Sequence, residues 1–405
     1  MTIATQAPAC QPCAHHPGRH RGEITSKQTP WSAICNGPDL AGTGGDTGIG
    51  GPTLRRVSEE GEQAGAIHLA SVLGDLVAGV DLDRSHAREI VASVLAGQAS
   101  DAQVAALLVA LSSKGETTEE ILGMRDAMVA ASTPLELPAN AVDIVGVGGA
   151  PRRRIAAFNV STIASIVASA AGATVCKHGN RKASSTSGSF DLLEAFGVNI
   201  EASPDVVAGG VASIGLGFAF ARAHHPSMRH VGPTRAQLGV PTIFNVLGPL
   251  AHPGLVKRQL IGVSDRARAE QIADVVVGTD AEHVWVVHGH DDLDEIALSG
   301  PSHIIEIRNG EQRSFSIDPS EVGIDVVPVE AIKGGDAAQN KLLAEQIFAG
   351  DPSPNRDQVV LNAAAGLVVA GVAQDLAGGV AAASAAIDDG HATAKLAQLV
   401  AHTNS

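Results

Sequence analysis

The chain has 405 residues, a formal net charge of −15 and no tyrosine. That length allows one large domain or two moderate ones, and the acid excess argues against a general nucleic-acid binder, because phosphate backbones are held by clustered Lys and Arg. No run of about 18 apolar residues goes unbroken and no basic-then-apolar leader opens the chain, so a cytoplasmic protein with neither signal peptide nor membrane span is expected.

Residues 1–63 are rich in Gly, Pro, Thr, His and Gln, lack sustained periodicity, and read as a disordered extension. Cys10 and Cys13 form a CxxC with His15 and His16 behind them. This looks like half a zinc site, but no second CxxC or HxxxH completes it, and Cys35 is the only other nearby thiol. Cys176 lies in an apolar run and reads as a small buried residue. The same extension holds GTGGDTGIGG, Gly42 to Gly51. A phosphate loop needs a strand before it and a helix N-terminus after it, and this string has neither.

From about Ala66 to Ser132 the pattern is helical. Ser100 to Gln103 is a capping box, followed by Val104, Leu107, Leu108 and Leu111 on one face, and Lys114-Gly115 closes the helix. Thr117 to Glu120 starts another in the same way. The character then changes. Val142 to Val145 is a short strand, GVGGAPRRRIAAF follows, and a helix runs from Val160 to Ala171. A second strand, Ala173 to Cys176, leads into KHGNRKASSTSGSFD and a helix around Leu192. Strand, loop and helix in repetition predict βαβ units and a mainly parallel sheet, with ligands at the strands' carboxyl ends. Gln259–Val263, Val284–Val287 and His303–Ile307 read as further strands, Asn309-Gly310 as a hairpin turn into a strand near Phe315, and the C-terminal third as helical. The second glycine loop, Gly146 to Gly149, therefore has the context that the first lacks.

Five stretches carry chemistry. Gly146–Gly149 lets the backbone approach a phosphate. Asn159-Val160-Ser161-Thr162 opens a helix, where hydroxyls either cap the helix or bind an anion. Lys177-His178-Gly179-Asn180-Arg181, with Ser184, Ser185, Ser187 and Ser189 behind it, is either a phosphate site or a solvated basic turn. Asp291-Asp292-Leu293-Asp294-Glu295 is either a magnesium site that also touches substrate phosphates or an acidic surface loop. His224-His225-Pro226 through Arg235 to Thr242–Leu250 sets a cation and ring nitrogens beside apolar groups. That suits an aromatic acid gripped by Arg, or a packed interdomain connector.

Taken together, these motifs resemble the anthranilate phosphoribosyltransferase family. KHGNR, NVST, HHPSMRH through TIFNVLGPL, and DDLDE all occur in the family's order, with DAQVAALLVALSSKGET before them and LNAAAGLVVAG and ASAAIDDG after. The resemblance runs from about residue 66 to the end. It implies an α/β fold of the nucleoside phosphorylase and phosphoribosyltransferase type: a small helical domain over 64–135, with a contribution from about 225–245, and a larger α/β domain with a mainly parallel sheet over 136–405. It also implies a homodimer that transfers a phosphoribosyl group from phosphoribosyl pyrophosphate to anthranilate with Mg2+, in tryptophan biosynthesis. Carried across, Gly146, Gly148, Gly149, Asn159, Ser161, Thr162, Lys177, Asn180 and Ser189 hold the donor. Asn180, His225, Arg235 and Pro249 line the acceptor path, and Ser161, Asp294 and Glu295 handle metal. Neither nucleic acid nor membrane is an expected partner. No residue is assigned as a proton-transfer catalyst, His178 included, because an aryl amine is already neutral near pH 7.

The family's loop reads GTGGD where this chain has GVGGA. Val147 removes a hydroxyl, Ala150 removes a carboxylate, and the segment before Asn159 is about three residues longer and adds Arg152, Arg153 and Arg154. Those arginines either grip pyrophosphate or face solvent. Alternatives to the family's reaction are a paralogue with another aromatic acceptor or an altered donor, a pyrimidine nucleoside phosphorylase relative, and a non-catalytic nucleic-acid-binding relative of the same fold.

Overall fold

The computed structural model describes residues 69–148, 158–182 and 186–405. Four helices come first: α1 (Leu69–Val77), α2 (Arg84–Leu95), α3 (Asp101–Lys114) and α4 (Thr118–Ala130). Their starts are set locally. The Asp83 side chain caps α2, and the expected capping boxes are present at Ser100–Gln103 and Thr117–Glu120.

Glu120 does more than cap. It is fully buried and accepts from Leu82 N (2.9 Å), Thr117 N (2.8 Å) and Lys114 Nζ (2.9 Å). One carboxylate thus ties together the α1–α2 loop, the end of α3 and the start of α4. Glu120→Ala leaves the Leu82 and Thr117 N–H groups without their acceptor and leaves Lys114 with Asp81 as its one acid partner among the described residues. It should lower the unfolding free energy by about 3 kcal/mol in a urea titration, and a loss below about 1 kcal/mol would show that water takes over the role.

The α/β part follows in the order β1 (Val142–Gly146), α5 (Val160–Ala170), β2 (Val175–Gly179), α6 (Ser189–Ala195), α7 (Pro204–Ile214), β3 (Leu216–Phe220) and α8 (Ala221–His224). Next come α9 (Gly232–Leu238), α10 (Ile243–Leu250), β4 (Arg258–Gly262), α11 (Arg266–Val277), β5 (His283–His288), β6 (Ser302–Arg308) and β7 (Glu311–Ile317). Four helices finish the chain: α12 (Ala337–Phe348), α13 (Pro354–Ala370), α14 (Leu376–Asp388) and α15 (His391–Thr403). The strands form one sheet in the order β3-β2-β1-β4-β5-β6-β7, parallel from β3 to β5 and antiparallel through β6 and β7. Asn309 and Gly310 both take positive φ and turn the expected hairpin between β6 and β7.

Alternation along the strands divides the core. Ile144, Leu260 and Trp285 pack on the face that α5 and α13 cover, while Val145, Ile261, Val284 and Val286 share a cluster with apolar side chains of α1–α4 and α11. Struts join the helical layer to the sheet layer: Arg125 Nε donates to Leu250 O (2.9 Å), and Arg268 and Gln271 of α11 both bond Glu116. Trp285 is buried, donates from Nε1 to Glu306 Oε1 (3.0 Å) and meets Phe315 edge-on.

Two features differ from the sequence reading. β2 begins at Val175 rather than Ala173 and continues through Lys177 and His178, which are strand residues and not loop residues. β3 was not anticipated. Leu216–Phe220 is apolar throughout and buried on both faces, so it shows no alternation to mark it as a strand. Among the described residues, no helix is long and apolar enough to cross a membrane.

Candidate active site

The strand order reverses direction at β1, which pairs with β2 on one side and β4 on the other. That is where an open parallel sheet leaves a crevice at its carboxyl end. Gly146 ends β1, and a Cβ there would stand only 2.5 Å from Asp294 Oδ2. Gly148, at φ +73°, donates its N–H to Asp294 Oδ2 (2.9 Å). Val147 N bonds Gly262 O (2.9 Å), and the Val147 side chain packs against the core. The glycine loop and the acidic stretch, 146 residues apart, are therefore one structure.

The start of α5 bears on a question the sequence left open. No side chain caps this helix, and the Asn159 amide points elsewhere. The Thr162 hydroxyl is buried and has no hydrogen-bond partner among the described residues. An uncapped N-terminus on an 11-residue helix, with an orphaned hydroxyl in its first turn, is suited to receiving an anion. Ser161 is half-buried beside it.

Lys177 lies mid-strand and is buried. Its Nζ donates to Ile144 O (2.7 Å) and, at 3.4 Å, to His178 O. Burial lowers its pKa, while the charges of Asp143 and Asp294 raise it. Asp143 is buried beneath it, accepts from His178 N (3.1 Å), and is pushed up to about 7 by burial against the pull of Lys177. Asn180 is exposed at the carboxyl end of β2, and its carbonyl accepts from Ser189 Oγ (3.0 Å), which fills the space beside Gly179. Arg181 turns away: Glu194 accepts from both its terminal nitrogens at 2.8 Å and Asp191 from one at 3.1 Å. The basic turn is thus half neutralised by α6.

His178, the next residue after Lys177, faces the other way. Its ring lies 5.3 Å from that of His225 and 5.6 Å from that of His252. His178 Nδ1 bonds Gly248 O (3.1 Å), and the Nε2 atoms of His178 and His225 are both buried without partners among the described residues. His252 accepts Gly254 N–H at Nδ1 and so donates from Nε2 to Cys176 O (3.0 Å). Arg235 donates to Thr242 Oγ1 and Asn245 Oδ1, each at 3.1 Å, and its guanidinium lies over Phe244. No acid pairs with it among the described residues. Pro249 is buried in α10, and its carbonyl accepts from Gln259 Nε2 (2.9 Å).

Burial holds His225 down to about 4, His252 to about 3 and His178 well below its usual value. All three are neutral at pH 7. The unfolded chain binds protons at these rings below about pH 6.5 and the folded chain does not, so their contribution is complete above that pH and is lost as pH falls toward 4. Each ring adds up to about 1.4 kcal/mol per pH unit to the slope. Melting temperature should drop steeply between about pH 6.5 and 4.5, and His252→Asn should flatten that fall. A slope unchanged by the substitution would contradict the assignment.

Asp291 and Asp292 take positive φ and lie next to His290 and His288, at 3.3 and 3.6 Å. Asp294 and Glu295 are half-buried, and the Glu295 backbone folds against Gly289. Among the described residues, no group of three or more His, Cys, Asp or Glu side chains is placed to hold a metal by itself. Gly149, Ala150, Arg152, Arg153, Arg154, Ser184, Ser185, the Gly42–Gly51 string and Cys10, Cys13 and Cys35 lie outside the described residues.

Comparison with known proteins agrees with this geometry. The glycosyl transferase family helical bundle domain matches residues 70–132, and the glycosyl transferase family a/b domain matches residues 138–393. Anthranilate phosphoribosyltransferases from Bradyrhizobium sp. (strain ORS 278) and Rhodopseudomonas palustris (strain ATCC BAA-98 / CGA009) are 47% and 46% identical, each over 83% of this chain and 99% and 98% of their own length. The chain belongs to the anthranilate phosphoribosyltransferase family. Among solved structures, the family's enzyme from Thermus thermophilus superposes with a TM-score of 0.77 at 40% identity, covering 82% of this chain and 99% of that one. The Saccharomyces cerevisiae anthranilate phosphoribosyltransferase in complex with PRPP and Mg gives 0.75 at 26% identity, covering 83% and 98%. Its complex with 4-fluoroanthranilate gives 0.74 at 26%, covering 83% and 97%.

Sequence reasoning missed the supports behind the anthranilate phosphoribosyltransferase motifs. Asp143 and Gln259 lie inside strands and carry no motif signal. Asn340 of α12 donates from Nδ2 to Asn159 Oδ1 (2.8 Å) across 181 residues. A buried polar residue within an otherwise ordinary helix was the only available hint.

Proposed function

We propose that the chain transfers a phosphoribosyl group from phosphoribosyl pyrophosphate to the amine of anthranilate, giving N-(5-phosphoribosyl)anthranilate and pyrophosphate, in tryptophan biosynthesis. The observation that carries the reading is the pair Lys177 and His178. They are consecutive residues of β2, so their side chains leave opposite faces: Lys177 toward the β1 end and the Asp294 charge, His178 toward His225 and the Gly248–Pro249 turn. One strand thus supports an anion site and an aromatic-acid site at once.

On the donor side, the open N–H groups of α5, the Thr162 hydroxyl and the Gly146–Gly149 backbone receive phosphate oxygens. Lys177 balances leaving-group charge from beneath, and Asn180 and Ser189 border the ribose. Asp294 holds the glycine loop in shape. Ser161, Asp294 and Glu295 would hold Mg2+, whose charge stabilises the departing pyrophosphate. Their hard oxygen donors fit that ion, which commonly takes one or two carboxylates and fills its shell from phosphates and water. On the acceptor side, Arg235 offers unused N–H donors to a carboxylate over the Phe244 face, and the neutral rings of His178 and His225 present unpaired nitrogens. Asn180 and Pro249 complete that path. The amine attacks without prior deprotonation, so the site works mainly by positioning and charge stabilisation.

The same reading divides the chain into the helical domain over 64–135 and the α/β domain over 136–405, and places the enzyme in the cytoplasm. It makes the protein a homodimer. Val77, Val80 and Val109 are 80%, 51% and 47% exposed on the helical domain, an apolar set suited to a second copy. The decisive experiment mixes protein, phosphoribosyl pyrophosphate, Mg2+ and anthranilate and follows loss of anthranilate fluorescence. Folded protein with no turnover would reject anthranilate as the acceptor.

A further inference from the structure

The amide of Asn159 occupies the N-cap position of α5 and leaves the helix uncapped, so something else must hold it. Its Oδ1 accepts from Ser187 Oγ (3.0 Å) and from Asn340 Nδ2 (2.8 Å), and its Nδ2 donates to Ser187 O at 3.4 Å. With Oδ1 held from two sides, the Nδ2 end is directed and the ring of contacts around it is fixed.

Asn340 is itself immobilised. It is fully buried, its Oδ1 accepts from Gly335 N (2.9 Å), and its Nδ2 also reaches Gly335 O at 3.4 Å. A Cβ on Gly335 would displace the Gln339 amide that caps α12. Gly335 O in turn accepts from Thr186 Oγ1 (2.7 Å). Two residues earlier, the buried Asn355 clamps Lys333 from both ends of its amide: Lys333 N donates to Asn355 Oδ1 (2.9 Å) and Asn355 Nδ2 donates to Lys333 O (2.7 Å). The segment 333–336 is therefore a rigid bracket, bolted to α12 and α13. Together with Asn340 it reaches two donor-side elements: Asn340 bonds Asn159, and Gly335 bonds Thr186 in the 186–188 turn before α6.

We propose that Asn340 is a positioning residue for the sugar diphosphate subsite: through Asn159, and through Gly335 and Thr186, it holds the start of α5 and the turn before α6 at the spacing the donor needs. The inference rests on the functional reading above for Asn159's role. The mechanism is preorganisation. A donor entering a site whose amide already points correctly does not spend binding energy on orienting it. The hydrogen bonds described for Asn340 run to Asn159 and Gly335, both on the donor side, so its effect is expected there.

Steady-state kinetics and calorimetry of phosphoribosyl pyrophosphate binding test this on the full chain. Asn340→Asp keeps the shape but sets an oxygen against Asn159 Oδ1. It should raise KM and Kd for phosphoribosyl pyrophosphate about 10-fold or more, while KM for anthranilate stays within about twofold. In an Asn159→Ala background, the same change should add less than about threefold, because the partner it acts through is gone. A donor Kd within twofold of wild type, equal loss for both substrates, or multiplicative effects in the double variant would each overturn the proposal. Should Asn340→Asp fail to fold, Thr186→Val removes the outer contact alone. It should weaken donor binding at least threefold without moving the anthranilate KM, and an unchanged Kd would count against the bracket. Wild-type protein that binds the donor but does not consume anthranilate would sink the functional reading and leave the calorimetric test of Asn340 standing.

Discussion

Asp294→Ala should lower kcat/KM for phosphoribosyl pyrophosphate by about 100-fold or more while the protein stays folded. Two losses add. The first is geometric: Asp294 Oδ2 accepts the Gly148 N–H at 2.9 Å, and without it the turn at this φ +73° glycine keeps only the neighbouring Val147 N–Gly262 O bond among those described. The second is electrostatic, because the carboxylate contributes one of the charges proposed to hold Mg2+. Asp294→Asn separates the two. It retains an acceptor for Gly148 but loses the charge, so its activity should recover at raised Mg2+, with half-activation shifted about 10-fold or more. The half-activating concentration in a Mg2+ titration reads this directly. If Asp294→Ala stays within threefold of wild type at limiting Mg2+, the acidic stretch is a surface loop after all.

The second large effect is expected at a position with no polar side-chain atom. A Cβ on Gly262, the last residue of β4, would lie far inside 3.0 Å of the Asp294 backbone carbonyl. The obstacle is main chain, which cannot swing aside like a side-chain tip. Gly262 O also receives the Val147 N–H (2.9 Å), so any retreat of β4 pulls on the glycine loop. Gly262→Ala should therefore destabilise the protein by about 3 kcal/mol. The surviving folded fraction should show a raised KM for the donor, with the anthranilate KM little changed. Urea titration and initial rates on the same preparation test both parts. Wild-type stability in this variant would mean that the Asp294 stretch stands further from β4 than the geometry places it.

What the sequence made legible was mostly local. The boxes at Ser100 and Thr117 declare themselves within four residues, because a cap and its partner are neighbours on the chain. The hairpin at Asn309-Gly310 is equally self-contained. The motifs proposed for both sides of the site stood out through the family resemblance, and the uncapped start of α5 with its buried Thr162 hydroxyl gives the proposed donor role a physical footing. Other features depended on distant partners. Lys177 and His178 extend β2 past the apolar run that marks it in the sequence, and what offsets the cost of a lysine buried there, Ile144 O and the Asp143 charge, comes from β1. Asn340 could not be seen because its bond to Asn159 spans most of the α/β part. Val147 was legible as a lost hydroxyl but not as a packed side chain.

The placement of Trp285 has a practical side. Of the two tryptophans, Trp31 lies outside the described residues, and the protein has no tyrosine. Trp285 is sealed in β5 with its indole nitrogen on Glu306, in a neighbourhood shared by none of the proposed substrate-contacting side chains. Its emission should therefore report opening of the β5–β7 edge and stay quiet when substrates bind. Anthranilate can then be followed by its own light without a change in Trp285 emission, and the same cuvette yields a separate optical readout of unfolding.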